Sequence, residues 1–241
     1  MDINIESSMS NDWFQLKEFR VRQDRCAMKV GTDGVLLGAW AQGGQRILDI
    51  GTGTGLIALM MAQRYPQARI VAIDIDSEAC EQAAENVATS PFADRIAVKD
   101  VPLQQLSATE EFDAIVTNPP YFIDSLLNPD EQKALARHAC SLPYKDLCKG
   151  VQLLLSSRGI FSVVLPTDNM EKFIAEATFA GLYLYKQDKI KTHLRKEPKR
   201  CLMAFTKFRP DCLEIKECTL LDEQGQRSEW YKALTHAFYL H

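Results

Sequence analysis

Five apolar runs of strand length, at 46–50, 69–74, 96–100, 112–117 and 159–165, alternate along this chain with stretches patterned as helices. That alternation predicts an α/β architecture in which a mostly parallel sheet is covered by helices on both faces. The helical stretches are 56–64, 77–90, 145–155 and 167–180, and Ser77 is placed to cap the second, with Glu78 in its first turn. Beyond residue 180 the pattern changes. Segments 182–191 and 200–208 are consecutive strands with no helix between them, which predicts a closing antiparallel hairpin. A last helix is expected within 228–240.

A chain of 241 residues with 46% hydrophobic and 25% charged content can bury one sizeable core. Residues 1–241 are therefore read as a single domain, with the polar 1–12 as a flexible tail. The opening lacks the basic start and apolar stretch of a secretory signal, and no apolar run nears the roughly 20 residues of a membrane helix. A soluble, cytoplasmic protein is expected, with no membrane association. The seven cysteines are scattered, with no pair at the spacing of a zinc or redox site, which predicts reduced thiols and no metal.

Net charge is −4, which argues against a surface coated in positive charge. Its distribution is uneven: between 186 and 200 stand Lys186, Lys189, Lys191, Arg195, Lys196, Lys199 and Arg200 against only Asp188 and Glu197. This basic segment is expected on the loop that joins the two hairpin strands. Trp13, Trp40 and Trp230 are read as packing residues, and His138 and His193, which have no partner motif, as surface or structural ones.

The first strand runs into Asp49-Ile50-Gly51-Thr52-Gly53-Thr54-Gly55. Glycines at a strand-to-helix turn let a ligand approach the backbone where a Cβ would collide, and in open α/β sheets ligands bind in the crevice at the carboxyl ends of the strands. About 20 residues on, the second strand ends in Asp74, placed to accept hydrogen bonds from the ribose hydroxyls of an adenosine. A dinucleotide fingerprint would need a glycine at position 56, which is Leu56. Asp49, Asp74 and Asp100 put carboxylates at or near three successive strand ends, unfavourable for a pyrophosphate and favourable for the cationic sulfonium and amino group of S-adenosyl-L-methionine.

The fourth strand ends in Asn118-Pro119-Pro120-Tyr121. Two prolines remove backbone donors and leave carbonyls free to accept. An exocyclic amino nitrogen is a poor nucleophile because its lone pair is delocalised. If the Asn118 side-chain oxygen and the Pro119 carbonyl each accept one of its hydrogens, the lone pair can turn toward a methyl donor without a strong base. Tyr121 offers a face for a planar base, worth about 1–3 kcal/mol.

Together the glycine loop, Asp74, Asp100 and Asn118–Tyr121 resemble the class I amino-methyltransferases. The stretch from Phe19 through Leu37, with Met28-Lys29-Val30-Gly31-Thr32-Asp33-Gly34, is more closely similar to the bacterial valine-tRNA (adenine-N6)-methyltransferase family, a likeness extending from about Gln15 to the Phe238-Tyr239-Leu240 ending. The resemblance implies a Rossmann-like class I fold with a seven-stranded sheet, S-adenosyl-L-methionine as cofactor, and tRNA as partner, methylated on the adenine 3′ of the anticodon. It implies that Thr32, Asp49, Gly51, Gly53, Gly55, Asp74, Asp100 and Asn118 line the cofactor and that Asn118, Pro119, Pro120 and Tyr121 hold the target base. Arg20, Arg22, Arg25, Lys29, Lys191, Arg195, Lys196, Lys199 and Arg200 are candidates for tracking RNA phosphates. No metal and no obligate protein partner is expected. Competing readings are a glutamine-amide methyltransferase acting on a translation factor, a ribosomal-RNA guanine-N2 methyltransferase, a nucleotide-binding oxidoreductase and an inert cofactor-binding scaffold.

Overall fold

A computed structural model describes residues 12–26, 29–107, 111–119 and 142–240. The elements are β1 (Trp13–Gln15), β2 (Arg20–Arg22), α1 (Thr32–Trp40), β3 (Arg46–Ile50), α2 (Leu56–Arg64), β4 (Arg69–Asp74), α3 (Ser77–Ala88), β5 (Ile96–Asp100) and β6 (Phe112–Thr117). They continue with α4 (Tyr144–Leu154), β7 (Leu155–Pro166), α5 (Met170–Phe179), β8 (Tyr183–His193), β9 (Arg200–Thr206), β10 (Glu214–Leu221) and α6 (Glu229–Thr235). Most of the expected residue 1–12 tail, together with Pro120, Tyr121 and His138, lies outside the described residues.

The main sheet has the order β10-β8-β9-β7-β6-β3-β4-β5, with β9 alone antiparallel to its neighbours. It has eight strands among the described residues rather than the expected seven. The additional strand, β10, pairs in parallel with β8, and its first four residues, Glu214 to Glu217, are all exposed. Its second half is buried, with Cys218, Leu220 and Leu221 in the core, so it is the exposed first half, held by backbone pairing with β8, that lacks an apolar signal. β1 and β2 form a separate two-stranded antiparallel sheet.

Alternation along the strands separates two cores. In β3, Ile47 packs with residues of α1 and α2, whereas Leu48 and Ile50 face the cluster containing Leu147, Val151 and Phe173 of α4 and α5. α1 and α2 approach closely enough that a Cβ on Gly38 would stand 2.7 Å from the Met60 sulfur. The C-terminal residues return to the first of these cores, where the Tyr231 and Tyr239 hydroxyls meet at 2.9 Å. No helix among the described residues is long and apolar enough to cross a membrane.

The basic segment divides between elements. Lys186, Lys189 and Lys191 lie on β8, and Arg200 opens β9, so only 194–199 forms the exposed turn. This differs from a segment wholly on a loop because β8 pairs with β9 as far as Ile190 and runs on to His193 against β10.

Candidate cofactor and methyl-acceptor site

β3 and β6 are adjacent, with β4 and β5 on one side and β7 on the other. The strand order thus reverses between them, and a crevice opens at their carboxyl ends. Ile50 and Thr117 are register partners, and the Thr117 hydroxyl donates to the Ile50 carbonyl at 2.8 Å. Consequently Gly51 and Asn118, the next residues of each strand, emerge at the same level. A cleft of about 230 Å³ lies there, lined by residues 29–34, 51–54, 56, 57, 118 and 200.

The loop after β3 is held from below. Gly51 and Thr52 both donate their N–H to the Ile73 carbonyl at 2.9 Å. Gly51 and Gly53 have φ of 69° and 54°, a conformation in which a side chain is strained, and an added Cβ at either would meet nothing within 4 Å. Backbone conformation therefore selects glycine, and the space above the loop is open to a ligand. Gly55 shares the positive φ, at 80°, but its missing Cβ would lie against α3, 3.4 Å from the Cβ of Ala83, rather than in open space.

The three carboxylates occupy different environments. Asp49 is fully buried; its Oδ2 accepts from the Thr52 hydroxyl at 2.7 Å and the Ala58 N–H at 3.1 Å, while Oδ1 has no partner. Burial pushes its pKa from 3.8 to about 7, against the opposing effect of those two hydrogen bonds. Asp74 accepts from the Gly53 N–H at 2.9 Å through Oδ2, and from the N–H groups of Ile75 and Asp76 through Oδ1. Asp100 is the register partner of Asp74, is exposed, and accepts from the Ser77 hydroxyl at 2.5 Å. Asp74 and Asp100 thus follow the loop toward β5, outside the lining of the cleft.

Ser77 is not the cap of α3. Asp76 takes that role, accepting from the N–H groups of Glu78 and Ala79, which leaves the Ser77 hydroxyl for Asp100. A carboxylate and a hydroxyl in consecutive positions cap equally well by sequence rules.

Asn118 lines the cleft half-buried, and Pro119 beside it is buried; the other two residues of the expected tetrapeptide are outside the described ones. Thr32 opens α1 on the opposite wall. Lys29 and Arg200, expected to face RNA, also line the cleft, and Arg200 Nε donates to Asp33 Oδ1 in an ion pair.

The other basic candidates separate into two groups. Arg20 stacks over Trp13 at 4.4 Å and donates to Gln15, and Arg22 is exposed on β2. Arg25 pairs with Glu85 and Glu81, and the Glu85 hydrogen bond raises its pKa. Lys191 pairs with Glu217 at 2.7 Å, which raises the lysine and lowers the glutamate. Arg195, Lys196 and Lys199 are exposed on the β8–β9 turn. Because Arg200 is the register partner of Pro166, at the carboxyl end of β7, that turn stands on the same rim of the sheet as Asn118.

Sequence reasoning missed Asp33, Gln82 and Asn86. The last two, buried on α3, accept from the backbone N–H groups of Arg25 and Arg22 and hold the segment leading to Lys29. Polar residues inside an amphipathic helix carry no pattern that distinguishes such a role. Trp40, read as packing, also donates its indole N–H to the buried Asp188 at 2.8 Å. No group of His, Cys, Asp and Glu among the described residues could hold a metal.

Residues 30–146 match the family model described as the methyltransferase small domain. A tRNA1(Val) (adenine(37)-N6)-methyltransferase of Bacteroides thetaiotaomicron is 52% identical over 97% of this chain and 99% of its own. One from Phocaeicola vulgatus is 51% identical over 96% and 99%. Among solved structures, a predicted O-methyltransferase from Agrobacterium tumefaciens shares the fold at 17% identity, with a TM-score of 0.68 over 86% of this chain and 96% of that one. By fold, cleft and near-full-length similarity, this chain belongs to the tRNA1(Val) (adenine(37)-N6)-methyltransferase family.

Proposed function

We infer that this protein transfers a methyl group from S-adenosyl-L-methionine to the N6 nitrogen of adenine 37 in tRNA1(Val). The observation that carries the chemistry is the side-by-side emergence of Gly51 and Asn118 from register-paired strands, which sets a cofactor loop against an amide acceptor. Positioning of that kind is worth about 7–11 kcal/mol in favourable cases.

The residues fit the cofactor. A Cβ-free loop with open space above it admits a ligand, the buried Asp49 has an orphaned oxygen, and Asp74 and Asp100 favour a cation and an adenosine. When bound, the cofactor supplies an electrophilic methyl group. Asn118 Oδ1 and the Pro119 carbonyl accept the two amino hydrogens of the base and orient its lone pair. Tyr121 stacks on the base. Arg195, Lys196 and Lys199 on the adjoining rim track the phosphates of the anticodon loop, whose unstacked bases enter a pocket at lower cost than those of a duplex.

The test is transfer of labelled methyl to unmodified tRNA, to ribosomal RNA and to a glutamine-containing peptide, followed by nucleoside analysis. N6-methyladenosine in tRNA is expected. Label on the peptide, or methylguanosine in ribosomal RNA, overturns the substrate.

A further inference from the structure

We infer that Arg200, supported by Lys29, is the recognition site for the α-carboxylate of the cofactor's amino-acid portion, and that Asp33 is the residue that holds Arg200 in place. The inference rests on the cofactor reading above, and it moves two cations from the RNA surface to the cofactor. Three observations carry it.

The first is direction. Asp74 and Asp100, which suit an adenosine, lie from the loop toward β5, whereas the cleft extends the other way, to α1 and the start of β9. An adenosine-linked ligand laid across Gly51–Gly53 therefore sends its other end among Lys29, Asp33 and Arg200. The second is charge. Lys29 and Arg200 line this end of the cleft together with the one carboxylate of Asp33, and Asp49 lies behind Thr52 with one unpartnered oxygen. An amino-acid carboxylate complements the two cations.

The third is the donor geometry of Arg200. Its ion pair with Asp33 uses Nε, and among the described residues its two terminal amino groups have no hydrogen-bond partner. The guanidinium is a rigid fork, and the edge formed by those two groups can grip a carboxylate with two parallel bonds while Nε stays on Asp33. The side chain is only 30% exposed, less suited to the open surface of an RNA than to a cleft.

Calorimetry with two probes tests this. S-adenosylhomocysteine carries the amino acid; 5′-methylthioadenosine lacks it. Wild type is expected to bind the first more tightly. Arg200→Ala should weaken S-adenosylhomocysteine at least tenfold while leaving 5′-methylthioadenosine within about twofold, and tRNA affinity should hold. Arg200→Lys, which keeps charge but loses the fork, should fall between. Asp33→Asn should weaken S-adenosylhomocysteine alone, and that effect should vanish in an Arg200→Ala background.

Equal affinity of wild type and Arg200→Ala for S-adenosylhomocysteine overturns the inference, as does an equal loss for both probes. Loss of tRNA binding with unchanged S-adenosylhomocysteine binding overturns it in favour of a phosphate contact. Failure of wild type to bind either probe instead overturns the cofactor reading on which the inference stands.

Discussion

The Asn86 side-chain amide donates to the Thr54 carbonyl at 2.8 Å and so fastens the glycine loop to α3. The same amide donates to the Arg22 carbonyl, and its oxygen accepts from the Arg22 N–H. One buried side chain thus joins the cofactor loop to the N-terminal strand that leads into Lys29–Gly34. Asn86→Ala leaves a buried carbonyl unpaired and is expected to cost about 2–4 kcal/mol. Denaturant unfolding reads the stability, and amide exchange should accelerate through residues 20–33. Unchanged exchange there would show that the strand is held by other interactions.

Asp49 predicts a pH dependence. Its folded-state pKa of about 7 lies above the ordinary 3.8, so the neutral acid is the form the fold prefers. The stability this contributes is complete below about pH 4 and is lost as pH rises through 7, amounting to on the order of a few kcal/mol. Asp49→Asn, which cannot ionise, should flatten that part of the pH–stability profile of the ligand-free protein. Parallel profiles for the two proteins would rule out the buried acid as its source.

The glycines and strand ends that surround the cleft were legible because physics marks them in one dimension. Positive φ demands glycine at 51 and 53, and strand ends can be located to the residue when apolar runs stop at Asp74, Asp100 and Asn118. What escaped was settled by distant partners. α1 contains Gly34 and Gly38, poor helix formers, because α2 presses against it; the energy that forms the helix comes from packing with Leu56 and Met60. β10 is drawn into the sheet by β8, and its exposed Glu217 occupies Lys191. A run of basic residues in sequence likewise does not distinguish those already paired from those facing solvent.

That distinction makes the RNA surface testable. Replacing Arg195, Lys196 and Lys199 together by Ala should weaken tRNA binding and reduce the slope of log K against log salt by about 0.7 for each phosphate no longer neutralised. Arg25→Ala and Lys191→Ala should change affinity little, since Glu85 and Glu217 already hold those cations. Equal effects from the two sets would mean that the paired residues exchange their partners for phosphates.

Asn118 separates binding from chemistry. It emerges level with Gly51, yet the hydrogen bonds that fasten the loop come from Ile73, Asp74 and Asn86, none of which depends on the Asn118 side chain. Asn118→Ala should therefore leave S-adenosylhomocysteine affinity within a few-fold of wild type while turnover on tRNA falls by orders of magnitude. Asp74→Ala should do the reverse, loosening the loop through Gly53 and weakening cofactor binding first. The two variants together decide whether the amide acts on the base: if Asn118→Ala turns over normally, the amino hydrogens of adenine are held elsewhere, and if it loses cofactor affinity as Asp74→Ala does, Asn118 belongs to the cofactor site alone.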